Sequence, residues 1–373
     1  MFAIGLTLWG TWLARRHFRS TPPRLDTPFA LFPVSILKPL KGVDAGSEEN
    51  LESFFRLNYP DFELLFSVAD AHDPAARTVR QLMAKYPGVK SRLIVGAIDI
   101  GPNPKVNNMV KSYEQASNDF VLISDSNVRV PTDYLKRLVA HWGPDVGLVT
   151  AIVAGRSPDG AGGLLEATFL NTFYARGMFM AWAVGRPSVI GKSMLFRRSD
   201  AARFGGIRAL GCYLAEDYMA GEAFRHLGRK VVLATDPVHQ HIGEHTLQAF
   251  WSRHLRWGRI RKAQAPLIFA IEPPFGAITS GLIGAWAALH TLAIAPAAFL
   301  TIHLTLWSAC DYFLLRKLGG KADFRWPILW FAREFLSLPL WAHIASGNTV
   351  NWRGRKLRLL SGGVLEGALE QAR

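Results

Sequence analysis

Cysteine is almost missing from this chain of 373 residues. Cys212 falls in its middle and Cys310 in a late apolar stretch, so no disulfide framework is implied, which fits a reducing cytosolic face. Also missing is a G-x-G-x-x-G turn after the first strand pattern, which argues against a dinucleotide-binding domain. Acidic residues are outnumbered, 29 against 43 Lys and Arg, leaving a formal charge of +14. Such an excess could suit nucleic acid, but no run of Lys and Arg is interleaved with aromatics, so no nucleic-acid partner is expected. Much of the positive charge instead borders apolar segments, where anionic lipid headgroups lie. Apolar residues make up 49% of the chain and concentrate at the N-terminal edge and after about residue 276. The pattern is a soluble middle flanked by membrane segments.

Residues 2–14 are apolar and are followed by Arg15, Arg16, His17 and Arg19. Thirteen residues fall short of the roughly 20 a crossing helix needs, and the charge follows the apolar run instead of preceding it as in a signal peptide. A signal anchor over 1–19 is expected, with a start codon placed too late and the following chain in the cytosol. Residues 20–33, with Pro22-Pro23, read as a linker.

From Val34 strand and helix patterns alternate. Strands are expected over Val34–Leu40, Phe62–Val68, Arg92–Ile98, Phe120–Ser124 and Val146–Val153. Helices are expected over Glu48–Leu57, Pro74–Tyr86, Lys105–Ala116 and Tyr134–Trp142. Strands separated by helices of this length imply parallel βαβ units in a doubly wound α/β sheet.

Polar groups cluster at the carboxyl ends of these strands, where open α/β sheets bind ligands. Lys38-Pro39 closes the first strand, Asp70 follows the second and Asp125 the fourth. Asp73-Pro74 reads as a helix start, with Asp73 as cap. Asp70 has no such duty and is free to accept hydrogen bonds from a nucleotide base or ribose. Asp125-Ser-Asn127 could be a strand-ending turn. Alternatively, Asp125 holds Mg²⁺ or Mn²⁺ bridging the phosphates of a nucleotide sugar, Ser126 and Asn127 standing where a D-x-D motif has its second acid. Asp217 either sits in a first helical turn favoured by the macrodipole or acts as a general base toward an acceptor hydroxyl. Arg253-His-Leu-Arg256-Trp257 either faces a membrane surface or supplies an arginine to pyrophosphate and Trp257 to an acceptor pocket. His239, His241 and His245 look like metal ligands but fit a strand edge better.

Taken together, Leu37-Lys-Pro-Leu-Lys-Gly-Val-Asp44, Gly101-Pro-Asn-Pro-Lys105-Val-Asn-Asn108, Asp125-Ser-Asn-Val-Arg129-Val, Ala215-Glu-Asp-Tyr218 and Arg253-His-Leu-Arg-Trp257 resemble the ceramide glucosyltransferases. The closing Trp352-Arg-Gly-Arg-Lys-Leu-Arg-Leu-Leu-Ser-Gly-Gly363 resembles the end of the same family. The likeness implies a GT-A fold and an inverting transfer of glucose from UDP-glucose to ceramide. It implies Asp70 and Asp125 for donor and cation, Asp217 as base, Arg253, Arg256 and Trp257 for donor and acceptor, and Lys105 and Asn107 in the donor site with Lys38 and Pro39. Diacylglycerol and hopanoid glycosyltransferases look similar, so the acceptor stays open among these lipids.

Ala277–Ala295 and Ala297–Leu315 are apolar stretches near spanning length that meet at Pro296, as in a hairpin. Trp326–Ala345 carries Arg333 and Glu334 near its middle, and the tail from 347 is basic, so an interfacial or re-entrant segment is expected. Asp311 should face the helix bundle. The catalytic domain is thus expected over 34–275, on the cytosolic face of a membrane such as the bacterial inner membrane. The oligomeric state is unknown from sequence.

Overall fold

The computed structural model describes residues 2–20, 31–321, 323–352 and 355–366. Most of the expected linker and, in the tail, residues 353–354 and 367–373 lie outside the described residues. The chain forms two compact units. One comprises Met1–Arg19, Ala154–Ala183 and Ile242–Val364; the other comprises Ser20–Val153, Val184–His241 and Leu365–Arg373.

The second unit is built on strands β1 (Val34–Leu40), β2 (Phe62–Val68), β3 (Ser91–Val95) and β4 (Phe120–Ile123), all parallel, in the order β3-β2-β1-β4. Every residue of β1 and β4 is buried, as expected of strands covered on both faces. The sheet then departs from the all-parallel expectation. With β5 (Val128–Arg129), β6 (Val146–Asp159), β7 (Met194–Arg197) and β8 (Lys230–Glu244) it reaches eight strands, in the order β3-β2-β1-β4-β7-β6-β8-β5. Strand β7 inserts antiparallel between β4 and β6, and β5 pairs antiparallel with β8.

Helices α2 (Ser47–Phe55), α3 (Pro74–Lys85) and α5 (Tyr134–Val139) cover one face, and α4 (Pro104–Glu114) and α9 (Glu216–His226) the other. Successive strand residues point to opposite faces. Ile36, Leu64, Phe66 and Leu122 therefore join Leu51, Phe54 and Val79, while Leu37, Leu65, Val121 and Ile123 join Val106, Met109 and Phe224. This double covering makes the middles of β1, β2 and β4 dry and leaves their carboxyl ends for polar work. The short α8 (Arg198–Ala202) follows β7.

The first unit contains α1 (Phe2–His17), α6 (Gly160–Phe169), α7 (Ala175–Ala183), α10 (Leu247–Gln264), α11 (Pro266–Ile271), α12 (Ala277–Leu292), α13 (Pro296–Lys317), α14 (Trp326–Ala345) and the hairpin β9 (Thr349–Trp352) with β10 (Arg355–Arg358). A π-turn over Leu170–Tyr174 joins α6 to α7. It places Asn171 so that its amide bonds both backbone groups of Gly155, at 2.8 and 3.0 Å. The side chain stands in for a neighbouring strand, and this lets β6 run on past Val153.

Helices α12 and α13 lie antiparallel at close range, because a Cβ on Gly284 would come 2.6 Å from the Phe299 ring. The first apolar stretch ends early, at Leu292, since Ala293 adopts φ 55° and Pro296 starts the next helix. Among the described residues α13 alone, with 22 residues, is long and apolar enough to cross a membrane. The third stretch, α14, is one uninterrupted helix of 20 residues. Its Arg333 is buried and bonds Asp311 (2.8 Å), Thr172 and Glu334. Asp311 is fully buried, facing the bundle, and also holds Arg176 and the Trp330 indole (2.8 Å). Glu334 accepts the first amide of α12, from Ala277, at 3.0 Å.

Candidate active site

The start of α4 is built by Asn103-Pro104. The Asn103 side-chain oxygen Oδ1 caps the helix by accepting from the Lys105 and Val106 amides at 2.9 and 3.2 Å. Its side-chain nitrogen Nδ2 donates to the Tyr213 carbonyl (2.6 Å) and to Glu216 (3.3 Å) in the first turn of α9. One residue therefore ties two helix N-termini together. Asn107 closes the preceding loop on itself, donating to Asp99 (3.2 Å) and the Gly101 carbonyl (2.8 Å) and accepting from the Ile100 amide (3.2 Å).

Lys105 reaches from this cap between two acids, with Nζ 2.8 Å from Asp125 Oδ1 and 2.7 Å from Glu216 Oε1. The other Asp125 oxygen is held by Lys192, 3.1 Å away, which also donates to Asn127 Oδ1 at 2.9 Å. Below them Lys38, wholly buried in β1, donates to the Asp125 carbonyl (2.6 Å) and Ser124 Oγ (3.3 Å) and lies 3.8 Å from the Phe54 ring centroid. Burial lowers the Lys38 pKa well below the usual lysine value. For Asp125 burial acts upward, but Lys105 and Lys192 outweigh it and hold the carboxyl below the usual range. Pro39, next in β1, lies beyond the last residue paired with β4, where its missing N–H leaves no ladder bond unmade on that side.

Asp217 opens α9 beside Glu216, so the first-turn reading holds structurally. Its carboxylate accepts the Gly191 amide at 2.7 Å and the Tyr218 amide at 2.8 Å. Burial, and then the neighbouring Glu216, push its pKa up to about 6, against the pull of Lys105. Gly191 shows how tightly these groups converge. A Cβ there would stand 2.6 Å from Lys105 Nζ, 3.4 Å from Asp217 Oδ2 and 3.7 Å from Asp125 Oδ1. Two acids 92 positions apart in the chain thus border one point.

Asp70 is exposed two residues past β2 and accepts the His72 amide at 2.8 Å. Asp73 caps α3 through the Ala75 amide (2.9 Å) and also takes the Gly42 amide (3.0 Å), tying down the loop after β1. Since β2, β1 and β4 are successive parallel neighbours, Asp70 and Asp125 leave the same edge of the sheet.

Arg253, Arg256 and Trp257 lie on α10, in the first unit. Arg253 is 2.5 Å from the fully buried Glu166, whose other oxygen is 3.0 Å from His245 Nδ1. Trp257 packs edge-on against Tyr174 and His254. His239 and His241 lie on β8, the former opposite Arg129. No group of three or more His, Cys, Asp or Glu side chains placed to hold a metal occurs among the described residues. Asp125 is nevertheless 28% exposed, with the Asn127 oxygen nearby. That set fits a hard cation drawing its remaining ligands from diphosphate and water.

Sequence reasoning missed Lys192, Glu216, Asn103 and Gly191. Lys192 carried one signal, a lone charge within the otherwise uncharged run from Val189 to Phe196.

The model for glycosyl transferase family 21 matches residues 1–365. Ceramide glucosyltransferase 1 of Caenorhabditis elegans is 32% identical over 338 residues, covering 88% of this chain and 72% of the relative. Ceramide glucosyltransferase of Komagataella phaffii is 28% identical over 439 residues, covering 93% and 85%. Among solved structures, a mannosyltransferase of Pyrobaculum calidifontis in complex with GDP-Man and Mn²⁺ superposes with a TM-score of 0.50 at 18% identity, covering 92% of this chain and 94% of that one, which shows a GT-A-like fold. With the family model matching nearly its whole length, this chain belongs to glycosyl transferase family 21 and is a glycosyltransferase.

Proposed function

We propose that the protein transfers glucose from UDP-glucose to the primary hydroxyl of ceramide, by a single inverting displacement with Asp217 as the general base. The observation that carries this reading is the point beside Gly191 within 4 Å of Asp217, Asp125 and Lys105, where base and donor-site groups converge. The names of the two relatives above, both glucosyltransferases of ceramide, supply sugar and acceptor.

Asp217 is suited to the role because its environment disfavours the charged carboxylate, so a proton arriving from the acceptor is retained. As the acceptor oxygen bonds the anomeric carbon, the bond from that carbon to the diphosphate oxygen breaks. The hydroxyl proton passes to Asp217, and UDP leaves on the opposite side. One displacement needs no covalent enzyme intermediate and gives a β-linkage. Lys105 meets the charge growing on the diphosphate. Asp70 accepts from the base or ribose, Asn107 keeps its loop closed, and Lys38 and Pro39 shape the floor. Arg253, Arg256 and Trp257 are assigned to pyrophosphate and acceptor. Asp125 would hold a divalent cation, Mg²⁺ or Mn²⁺, which when bound neutralises diphosphate charge. The acceptor enters from a bilayer in which α12–α14 are embedded, with the soluble donor on the cytosolic side.

The test is mass spectrometry of lipids from a host with and without the protein, alongside UDP release from UDP-glucose by the purified chain. A new monohexosylceramide with UDP release is expected. A glycosylated diacylglycerol or hopanoid instead would replace the acceptor, and absence of UDP release would end the reading.

A further inference from the structure

Both oxygens of Asp125 are engaged by ammonium groups, Oδ1 by Lys105 and Oδ2 by Lys192. Lys192 holds Asn127 as well. The position where a D-x-D motif has its second carboxylate is thus a neutral amide bonded to a cation. A dication approaching Asp125 meets two ammonium groups, and their repulsion disfavours it unless another anion draws one of them away. A diphosphate is such an anion, and without a cation it meets an Asp125 carboxylate that repels it.

We infer that Lys192, which pairs with Asp125, couples the binding of the divalent cation to that of the donor nucleotide by transferring to the diphosphate when the cation takes its place. The inference rests on the nucleotide-sugar reading above and adds an energetic link between its two ligands. Coupling of this kind is reciprocal: each ligand tightens the other by the same factor. Lys105 is less suited to the exchange, because Glu216 at 2.7 Å retains it. Among the described residues, Lys192 has only the neutral Asn127 as its other side-chain partner. The turn that carries it also orients the base through the Gly191 amide, so its movement lies next to Asp217.

The experiment titrates the full-length chain in nanodiscs with Mn²⁺, followed by the paramagnetic signal of the free ion, with and without saturating UDP, and with UDP in the presence and absence of Mn²⁺. In the wild type, UDP should tighten Mn²⁺ by about tenfold or more, within the usual range of coupling between sites. Lys192→Met should act with opposite signs on the two ligands. Mn²⁺ alone binds about fivefold tighter because one oxygen of Asp125 is released. UDP with Mn²⁺ binds about tenfold weaker, and the coupling factor falls below about three. Lys192→Arg should keep most of the coupling. A lysine that merely braces the loop would weaken both ligands together when removed, and that outcome overturns the inference, as does wild-type protein without coupling. Wild type that binds no UDP under either condition removes the nucleotide-sugar reading as well, whereas UDP binding with an unchanged Mn²⁺ response in Lys192→Met removes the coupling alone.

Discussion

Each unit buries a cluster of opposed charges, and the two clusters are finished differently. In the helical unit Asp311 and Glu334 face Arg176 and Arg333, two acids against two bases, with Trp330, Thr172 and the Ala277 amide filling remaining positions. In the sheet unit Asp125, Glu216 and Asp217 share Lys105 and Lys192 at the end of β4, and Asp125 stays partly open to solvent. The first arrangement is closed, with its charges committed to helix packing. The second crowds three carboxylates, and burial first, then the neighbouring Glu216, make one of them, Asp217, ionise reluctantly. Buried charge is thus a fastening where it is matched, and where it is not it is available for the proposed chemistry.

Breaking the open cluster at its base should have the largest effect. Asp217→Asn should lower kcat about 10³-fold, the usual contribution of a positioned base, with UDP affinity changed by less than about twofold. Near-normal turnover would remove the base assignment. Breaking the closed cluster should act on stability instead. Asp311→Asn leaves Arg176 and Arg333 short of a counter-charge and should cost about 3–5 kcal/mol, read from thermal unfolding in detergent, with kcat of the folded fraction kept. Unchanged stability with lost turnover would make the helical cluster part of the chemistry and erase the contrast.

Smaller effects sharpen the comparison. Gly258→Ala, whose Cβ would lie 2.1 Å from the Ile344 side chain, should loosen α10 against α14 by about 1–3 kcal/mol, lessened where Ile344 changes rotamer. The acid limb of kcat/KM should fall near pH 6, since only the Asp217 carboxylate accepts a proton. Stability has the opposite sign. The fold binds this proton more tightly than the unfolded chain, so the contribution of Asp217 declines as pH rises from 3.8 to about 6 and is level above. Glu216→Gln removes a like charge and should move the acid limb down by about half a unit to one unit, measured on the pH–rate profile. A limb that stays in place would assign the titration to another group.

Some elements could be read from local pattern alone. The bounds of β1 and β2 match the expected Val34–Leu40 and Phe62–Val68, because apolar centres such as Ile36-Leu37 and Leu64-Leu65-Phe66 mark strands buried on both faces. The Asp73-Pro74 cap was equally legible, since its hydrogen bond spans two residues. Strand β8 and the extension of β6 were not. Gly155, Arg156 and Pro158 interrupt the apolar rhythm, and what keeps that stretch extended includes Asn171, a side chain 16 residues away. Lys192 was overlooked because its meaning lies in Asp125, 67 residues earlier.

The sequence by itself determined the parallel βαβ core, the polar residues at its carboxyl edge and the apolar helices that follow, since periodicity and turn chemistry act over a few residues. Only the tertiary structure decided that β7 enters antiparallel, that Asp217 comes beside Asp125, and which charges neutralise one another. Those outcomes depend on Coulomb and packing energies between groups distant in the chain, which no local pattern encodes.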